Sequence, residues 1–180
     1  SWQMKKYNVG IAGFRWAATA HIDAIQNTSL GQVRAIYSSR ADQLDAAELS
    51  AKHGSDIKVY GSFDDMVADP DLDVIDITSY PSQHREQAVK VAQAGKHLII
   101  EKPLALSLDD CRAILKAVEE AGVQACVCFE CRFGGQFIST KKLLDEGVLG
   151  EIHYGEIDYY HGVGPWYGQF RWNVKKENGG

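Results

Sequence analysis

The stretch Gly10-Ile11-Ala12-Gly13-Phe14-Arg15-Trp16-Ala17-Ala18 is a glycine-bearing turn between an apolar run and a helical pattern. In dinucleotide-binding turns of this kind the first glycine makes the bend, the second position lets the backbone approach a pyrophosphate, and the third must be small for helix and strand to pack. Counted from Gly13, the bend and the small third residue, Ala18, are present, and the second position is Arg15. An arginine there either reaches the phosphate oxygens or crowds them, while the helix that follows offers an anion the unpaired N–H groups of its first turn. Gly10, Gly13, Phe14, Arg15, Trp16 and Ala17 are therefore the residues expected around a phosphate; a glycine turn without a ligand is the alternative. At the end of the next apolar run, where an acidic residue would bind the ribose hydroxyls of NAD, stand Ser38, Ser39 and Arg40. A guanidinium with hydroxyls suits a 2′-phosphate better than a bare ribose, so Ser39 and Arg40 favour NADP over NAD. An arginine capping an exposed turn would look the same.

Cys126, Cys128 and Cys131 form a C-x-C-x-x-C cluster, and Cys111 lies on a helical segment. Such spacing can hold zinc or an iron–sulfur centre, but three clustered thiols lack the fourth ligand of a closed site. Cys126 and Cys128 fall in a β-type run, and buried structural thiols with no metal are expected. His21, His53, His84 and His97 are read as helix or strand positions without a metal role. His153 faces away from the apolar positions of its segment and is expected at the surface. Glu101-Lys102 ends another apolar run; on its own such a pair is most often solvated surface.

Apolar runs rich in β-branched residues alternate with helical patterns, the signature of βαβ units and a parallel sheet. Strands are expected at Tyr7 to Ala12, Val33 to Tyr37, Lys58 to Tyr60, Val74 to Thr78, His97 to Glu101 and Val123 to Phe129. Helices are expected at about Ala17 to Asn27, Ala41 to His53, Ser62 to Ala68, Ser82 to Ala94 and Leu108 to Ala121. Gly54, Gly95 and Gly122 stand where helices stop, and Ser107 can cap the start of the fifth. Leu108, Cys111, Leu115 and Val118 recur at helical spacing and should bury one stripe. The fold class is α/β: a doubly wound parallel sheet of Rossmann type over residues 1–128, followed over 129–180 by the beginning of an α+β second domain. There a helix is expected at about Gln136 to Glu146, and the alternation of Ile152, Tyr154, Ile157 and Tyr159 predicts a long strand over Glu151 to His161. A strand of that kind needs partners from more chain or another copy.

The chain is 45% hydrophobic and 24% charged with a net charge of −5, an ordinary mixture that argues against a general nucleic-acid surface. With no apolar run of the roughly 18 residues a membrane span needs and no leader pattern, a cytoplasmic protein without membrane contact is expected. Ser1-Trp2-Gln3 reads as an expression remnant ahead of Met4.

Ala94-Gly95-Lys96-His97-Leu98-Ile99-Ile100-Glu101-Lys102-Pro103, together with the N-terminal turn, resembles the glucose-fructose oxidoreductase / inositol dehydrogenase (Gfo/Idh/MocA) family, whose hallmark is A-G-K-H, a short apolar strand and E-K-P. Arg132-Phe133 and Lys142-Leu143-Leu144-Asp145-Glu146-Gly147-Val148-Leu149-Gly150 fit as well, so the resemblance runs along essentially the whole chain. It implies a two-domain NAD(P)-dependent oxidoreductase acting on a hydroxyl or keto carbon of a sugar, cyclitol or related polyol, and oligomerising through the second-domain sheet. Lys102 would be the catalytic cation beside the nicotinamide, Glu101 would help position that ring, and Pro103 would fix the turn. Ser79, Tyr80, Pro81 and His84 would make cofactor contacts, although the family commonly runs Thr-Pro-Asn before its helical His. Family members also usually carry Pro soon after Arg-Phe, where this chain has Gly134 and Gly135.

Substrate contacts are expected from Arg132, Tyr160, His161, Trp166, Arg171 and Trp172: the aromatic group Tyr159, Tyr160, Trp166, Tyr167, Phe170 and Trp172, with His161 and Arg171, can stack on and hydrogen-bond a sugar-like ring or simply pack the second domain or its subunit interface. The family's Asp and His acid/base segment would begin just beyond Asn178-Gly179-Gly180, so the 180-residue form is expected to be inactive as a dehydrogenase. The alternative function is a non-catalytic dinucleotide-binding or regulatory module on the same fold.

Overall fold

The computed structural model describes residues 5–162, 164–165 and 175–178. The chain divides into two compact units that part between Cys128 and Phe129. In the first, strands and helices alternate: β1 (Tyr7–Ala12), α1 (Trp16–Gln26), β2 (Gly31–Tyr37), α2 (Ala46–His53), β3 (Lys58–Tyr60), α3 (Phe63–Val67), β4 (Val74–Ile77), α4 (Pro81–Gln93), β5 (His97–Glu101), α5 (Leu108–Ala121) and β6 (Ala125–Cys128). The strands form one sheet in the order β3-β2-β1-β4-β5-β6, and every neighbouring pair is parallel.

Parallel strands carry helices on both faces, so they bury both sets of alternating side chains. Val9 and Ile11 of β1 pack with Ala18 and Ile22 of α1 and Leu49 of α2. Ala12 of β1, with Ile75 and Ile77 of β4, packs on the opposite face with Ala88 and Val91 of α4 and Ile114 of α5. Because β1 is flanked by β2 and β4, the chain leaves β1 toward one face and β4 toward the other. That divergence opens a crevice at the carboxyl ends of these two strands, where sheets of this topology take their ligands.

Gly13 sits at the crevice with φ +100°, and a Cβ there would lie 2.9 Å from Ser79 Cα. Its N–H donates to Tyr37 O at 3.0 Å, and its carbonyl accepts from Thr78 Oγ1 at 2.7 Å, so the turn is tied to β2 and to the end of β4. Gly13→Ala combines a left-handed backbone with a backbone clash and is expected to lower stability by about 1–3 kcal/mol. Urea denaturation would measure it; an unchanged midpoint would mean that the turn relaxes at no cost.

Several local expectations are corrected. The helix read over Ala41 to His53 is broken: a single 3₁₀ turn at Ala41–Gln43 precedes α2, because Asp45 caps α2 by accepting from the N–H groups of Ala47 and Glu48. On α5 the buried line runs through Ile114 and Ala117, whereas Leu108 and Leu115 are exposed. The stripe is rotated by about one residue, since only a narrow face of α5 meets α4 and the sheet. Val123 to Phe129 contracts to β6, the outer strand. Pairing of Ile100 with Val127 puts Val127 on the face that α5 covers, so the cysteines take the other face. Cys126 and Cys131 are exposed, and Cys111 and Cys128 are half-buried, not the buried thiols expected.

In the second unit α6 (Gly135–Asp145) forms as read, but Glu151 to His161 has no regular secondary structure. A strand exists only through its ladder, and no described segment pairs with this one. His153 is exposed, as expected. No described helix is long and apolar enough to cross a membrane.

Candidate functional site

The crevice holds an open cleft lined by Gly13, Phe14, Arg15, Tyr37, Ser38, Ser39, Arg40, Ser79, Tyr80 and Gln83. Three loops, following β1, β2 and β4, thus meet in one place. Arg15, at the N-cap of α1, makes no capping bond with its side chain. Its guanidinium instead lies over the Tyr80 ring, 4.5 Å from the centroid. The two positions that depart from the usual pattern form one cation–π pair and brace the first turn against the loop after β4. Ser38 is buried, and its hydroxyl accepts from the Arg40 N–H at 3.1 Å, which holds the turn so that Ser39 and Arg40 remain exposed. The positive end of the α1 dipole and the guanidinium of Arg40 make the cleft suited to an anion.

A second cluster lies at the carboxyl ends of β4, β5 and β6. Alternation in β4 puts Asp76 opposite Ile75 and Ile77, on the face covered by α1. His21 of α1 meets it there: Nδ1 is 2.8 Å from Asp76 Oδ2, and Nε2 is 3.0 Å from Glu101 Oε1. The other oxygen of Glu101 accepts the backbone N–H of Lys102 at 2.9 Å. Asp76 Oδ1 is buried without a hydrogen-bond partner among the described residues. Burial works against a charged imidazole, but the hydrogen bonds and charges of Asp76 and Glu101 outweigh it and raise His21 to about 10. Burial also pushes Asp76 up against the pull of His21. Glu101, likewise disfavoured by burial, is held below its ordinary value by His21 and by the Lys102 backbone and charge. The result is a hydrogen-bonded chain from Asp76 through His21 to Glu101 that reaches the Glu101-Lys102-Pro103 turn.

Lys102 is exposed at the end of β5, and the Lys102–Pro103 peptide is cis. His84 braces this turn, with Nδ1 2.8 Å from Pro103 O and Nε2 3.1 Å from Ser79 O.

Of the residues expected around a cofactor, Gly13, Phe14, Arg15, Ser39, Arg40, Ser79 and Tyr80 line the cleft. Gly10 does not: it lies within β1, where a Cβ would meet Leu72 and Ile75 in the core, so its smallness serves packing. Trp16 and Ala17 open α1 beside the cleft without lining it. Pro81 is buried at the first position of α4, and His84 is fully buried behind the turn, so these two shape the loops and do not face a ligand. Arg132 is exposed in the second unit, its guanidinium 5.8 Å from the Phe129 ring centroid. Tyr160 and His161 are exposed, and His161 stacks on Tyr159. Trp166, Arg171 and Trp172 lie outside the described residues.

Sequence reasoning missed Tyr37, Gln83, Asp76, and the meeting of His21 and Cys128 with Glu101. The legible signal was Asp76, a carboxylate inside the apolar run Val74-Ile75-Asp76-Ile77, since a buried charge in a parallel strand requires a partner.

Residues 7–129 match the model of an oxidoreductase family with an NAD-binding Rossmann fold. An uncharacterized oxidoreductase of Synechocystis sp. is 29% identical over 174 residues, covering 96% of this chain and 46% of that protein. A scyllo-inositol 2-dehydrogenase (NADP(+)) of Bacillus subtilis is 26% identical over 152 residues, covering 84% of this chain and 41% of its own length. Among solved structures, the WlbA dehydrogenase from Bordetella pertussis in complex with NADH and UDP-GlcNAcA matches with TM-score 0.72 and 28% identity, over 81% of this chain and 44% of that one. The chain thus spans less than half the length of these relatives.

Proposed function

Because the chain belongs to the Gfo/Idh/MocA family of oxidoreductases, we propose that it binds a nicotinamide dinucleotide in the β1–β4 crevice and that the protein it represents moves hydride to or from a hydroxyl or keto carbon of a sugar, cyclitol or related polyol. The observation that carries this reading is the meeting of the Gly13 turn, the Ser38–Arg40 turn and the Ser79–Tyr80 loop around one cleft. The residues fit such a cofactor. Gly13 keeps the crevice clear where a Cβ would collide with the backbone of Ser79, and the N-terminus of α1 begins beside it. When bound, the cofactor supplies the hydride acceptor or donor.

The chain's own residues do the rest. Glu101, held by His21, fixes the end of β5. Lys102 follows it as an exposed ammonium, able to stabilise the alkoxide that forms as a carbinol oxygen loses its proton, or to relay that proton. The sugar-like substrate rests on the family and on relatives that carry inositol and nucleotide-sugar names.

Ser39 and Arg40 favour NADP over NAD in this reading. A charge-assisted contact from Arg40 to a 2′-phosphate is worth about 1.5–3 kcal/mol, so Arg40→Ala is expected to weaken NADPH binding by roughly 10–100-fold and to leave NADH nearly unchanged. Fluorescence titration with both cofactors measures it. Equal losses for the two would remove the 2′-phosphate assignment, and failure of the unaltered chain to bind either would overturn the cofactor reading.

A further inference from the structure

Three residues far apart in the chain bring different donor atoms to one place. Glu101 of β5 and Cys128 of β6 are register partners at the carboxyl edge of the sheet, and His21 reaches the same edge from α1. One ligand atom from each, an imidazole nitrogen, a carboxylate oxygen and the thiol sulfur, lie within 4.8 Å of one another. We propose that His21, Glu101 and Cys128 form a binding site for a borderline-soft divalent cation of the Zn²⁺ type.

The donor set is the one such a cation takes, and three protein ligands leave a fourth position for water. Asp76 supplies the part of a metal site that is hardest to obtain by chance. A metal-bound imidazole normally gives its second ring N–H to a carboxylate, which fixes ring orientation and tautomer. Here His21 Nδ1 lies 2.8 Å from Asp76 Oδ2, on a side chain only 1% exposed, which leaves the Nε2 edge directed at Glu101. The cation would take the place of the proton between His21 Nε2 and Glu101 Oε1, and of the proton on the Cys128 thiol. Two protons leave and one dication arrives, so the cluster's net charge is unchanged and no additional charge has to be buried. The flanking carboxylates already make the position favourable to a cation.

The proposal rests on these four residues and not on the hydride-transfer reading, so its test needs no activity. The chain, kept reduced, is titrated with Co²⁺ and then with Zn²⁺. One equivalent is expected to bind with a near-ultraviolet thiolate-to-cobalt charge-transfer band, and Zn²⁺ is expected to displace it. Cys128→Ser should abolish the band, and Glu101→Gln should weaken binding at least tenfold. Asp76→Asn, folded by circular dichroism, should weaken it 10–100-fold. A Cys126→Ser/Cys131→Ser variant should bind as the unaltered chain does. The proposal is overturned if no thiolate band forms, or if the band survives Cys128→Ser and vanishes with the exposed cysteines.

Discussion

His21→Ala is expected to lower the free energy of unfolding by about 3–5 kcal/mol, the range for removing one partner of a buried ion pair. The size follows from what is left behind. The Asp76 side chain is 1% exposed, and the His21 ring is its only hydrogen-bonding partner among the described residues. Without the ring the carboxylate must take up a proton or stay charged in an apolar layer between α1 and the sheet, and either is costly. Adding Asp76→Ala removes the stranded group, so the double variant should be no less stable than the single one. Urea denaturation of the three proteins measures both effects, and a loss below about 1 kcal/mol for His21→Ala would show the cluster to be marginal to the fold.

The same pair sets a pH dependence. In the unfolded chain His21 titrates at its ordinary 6.5, and in the folded chain at about 10. A raised folded value means that the folded state holds its proton more tightly, so this stabilisation is complete below about 6.5, declines above it, and is gone once the pH passes about 10. Glu101 acts in the opposite sense: its value is lowered on folding, so its contribution is present above its ordinary 4.5 and is lost as the pH falls through the lower folded value. The unaltered protein should therefore lose stability relative to His21→Ala between pH 6.5 and 10. Parallel pH profiles would contradict the assignment.

Under the proposed hydride transfer, Lys102→Ala in the longer protein that this chain represents is expected to reduce turnover by roughly 10²–10⁴-fold, the usual worth of a positioned proton-transfer group, with little change in cofactor affinity. The expectation depends on how the turn is held. The Glu101 carboxylate accepts the Lys102 backbone N–H, and His84 reaches Pro103 O, so the turn keeps these ties when the ammonium is removed. Loss of kcat with an unchanged cofactor dissociation constant would place the ammonium in the chemical step. Unchanged kcat would remove Lys102 from the mechanism, and weakened cofactor binding would make it a binding residue.

Much of this molecule is legible in its sequence for a local reason. A strand announces itself by a short apolar run, a helix by its stripe and by the Ser or Asp before it and the Gly after it. These signals span a few residues, so β1, β3 and β5 fall where the pattern puts them, and Gly54 and Gly122 end α2 and α5 in the left-handed conformation. The E-K-P run and the glycine turn are equally local, and they sufficed to point to a dinucleotide fold. Where two local preferences compete, sequence reading is less secure: the helical pattern of Ala41 to His53 conceals the cap at Asp45, and the alternation of Glu151 to His161 specifies a face without supplying a partner.

The tertiary structure alone decided which side chains meet. Arg15 and Tyr80 read as separate departures, yet they stack as one pair because β1 and β4 are neighbours whose loops rise side by side. His21 finds Asp76 across 55 residues and Glu101 across 80, distances at which no periodicity carries information. Cys128 left the company of Cys126 and Cys131 for that of Glu101 because parallel register pairs residues across strands, whatever their order along the chain. Composition and period determine that a βαβ sheet forms. The order of its strands, and with it the chemistry at their carboxyl ends, is set by packing that minimises exposed apolar surface over the whole domain.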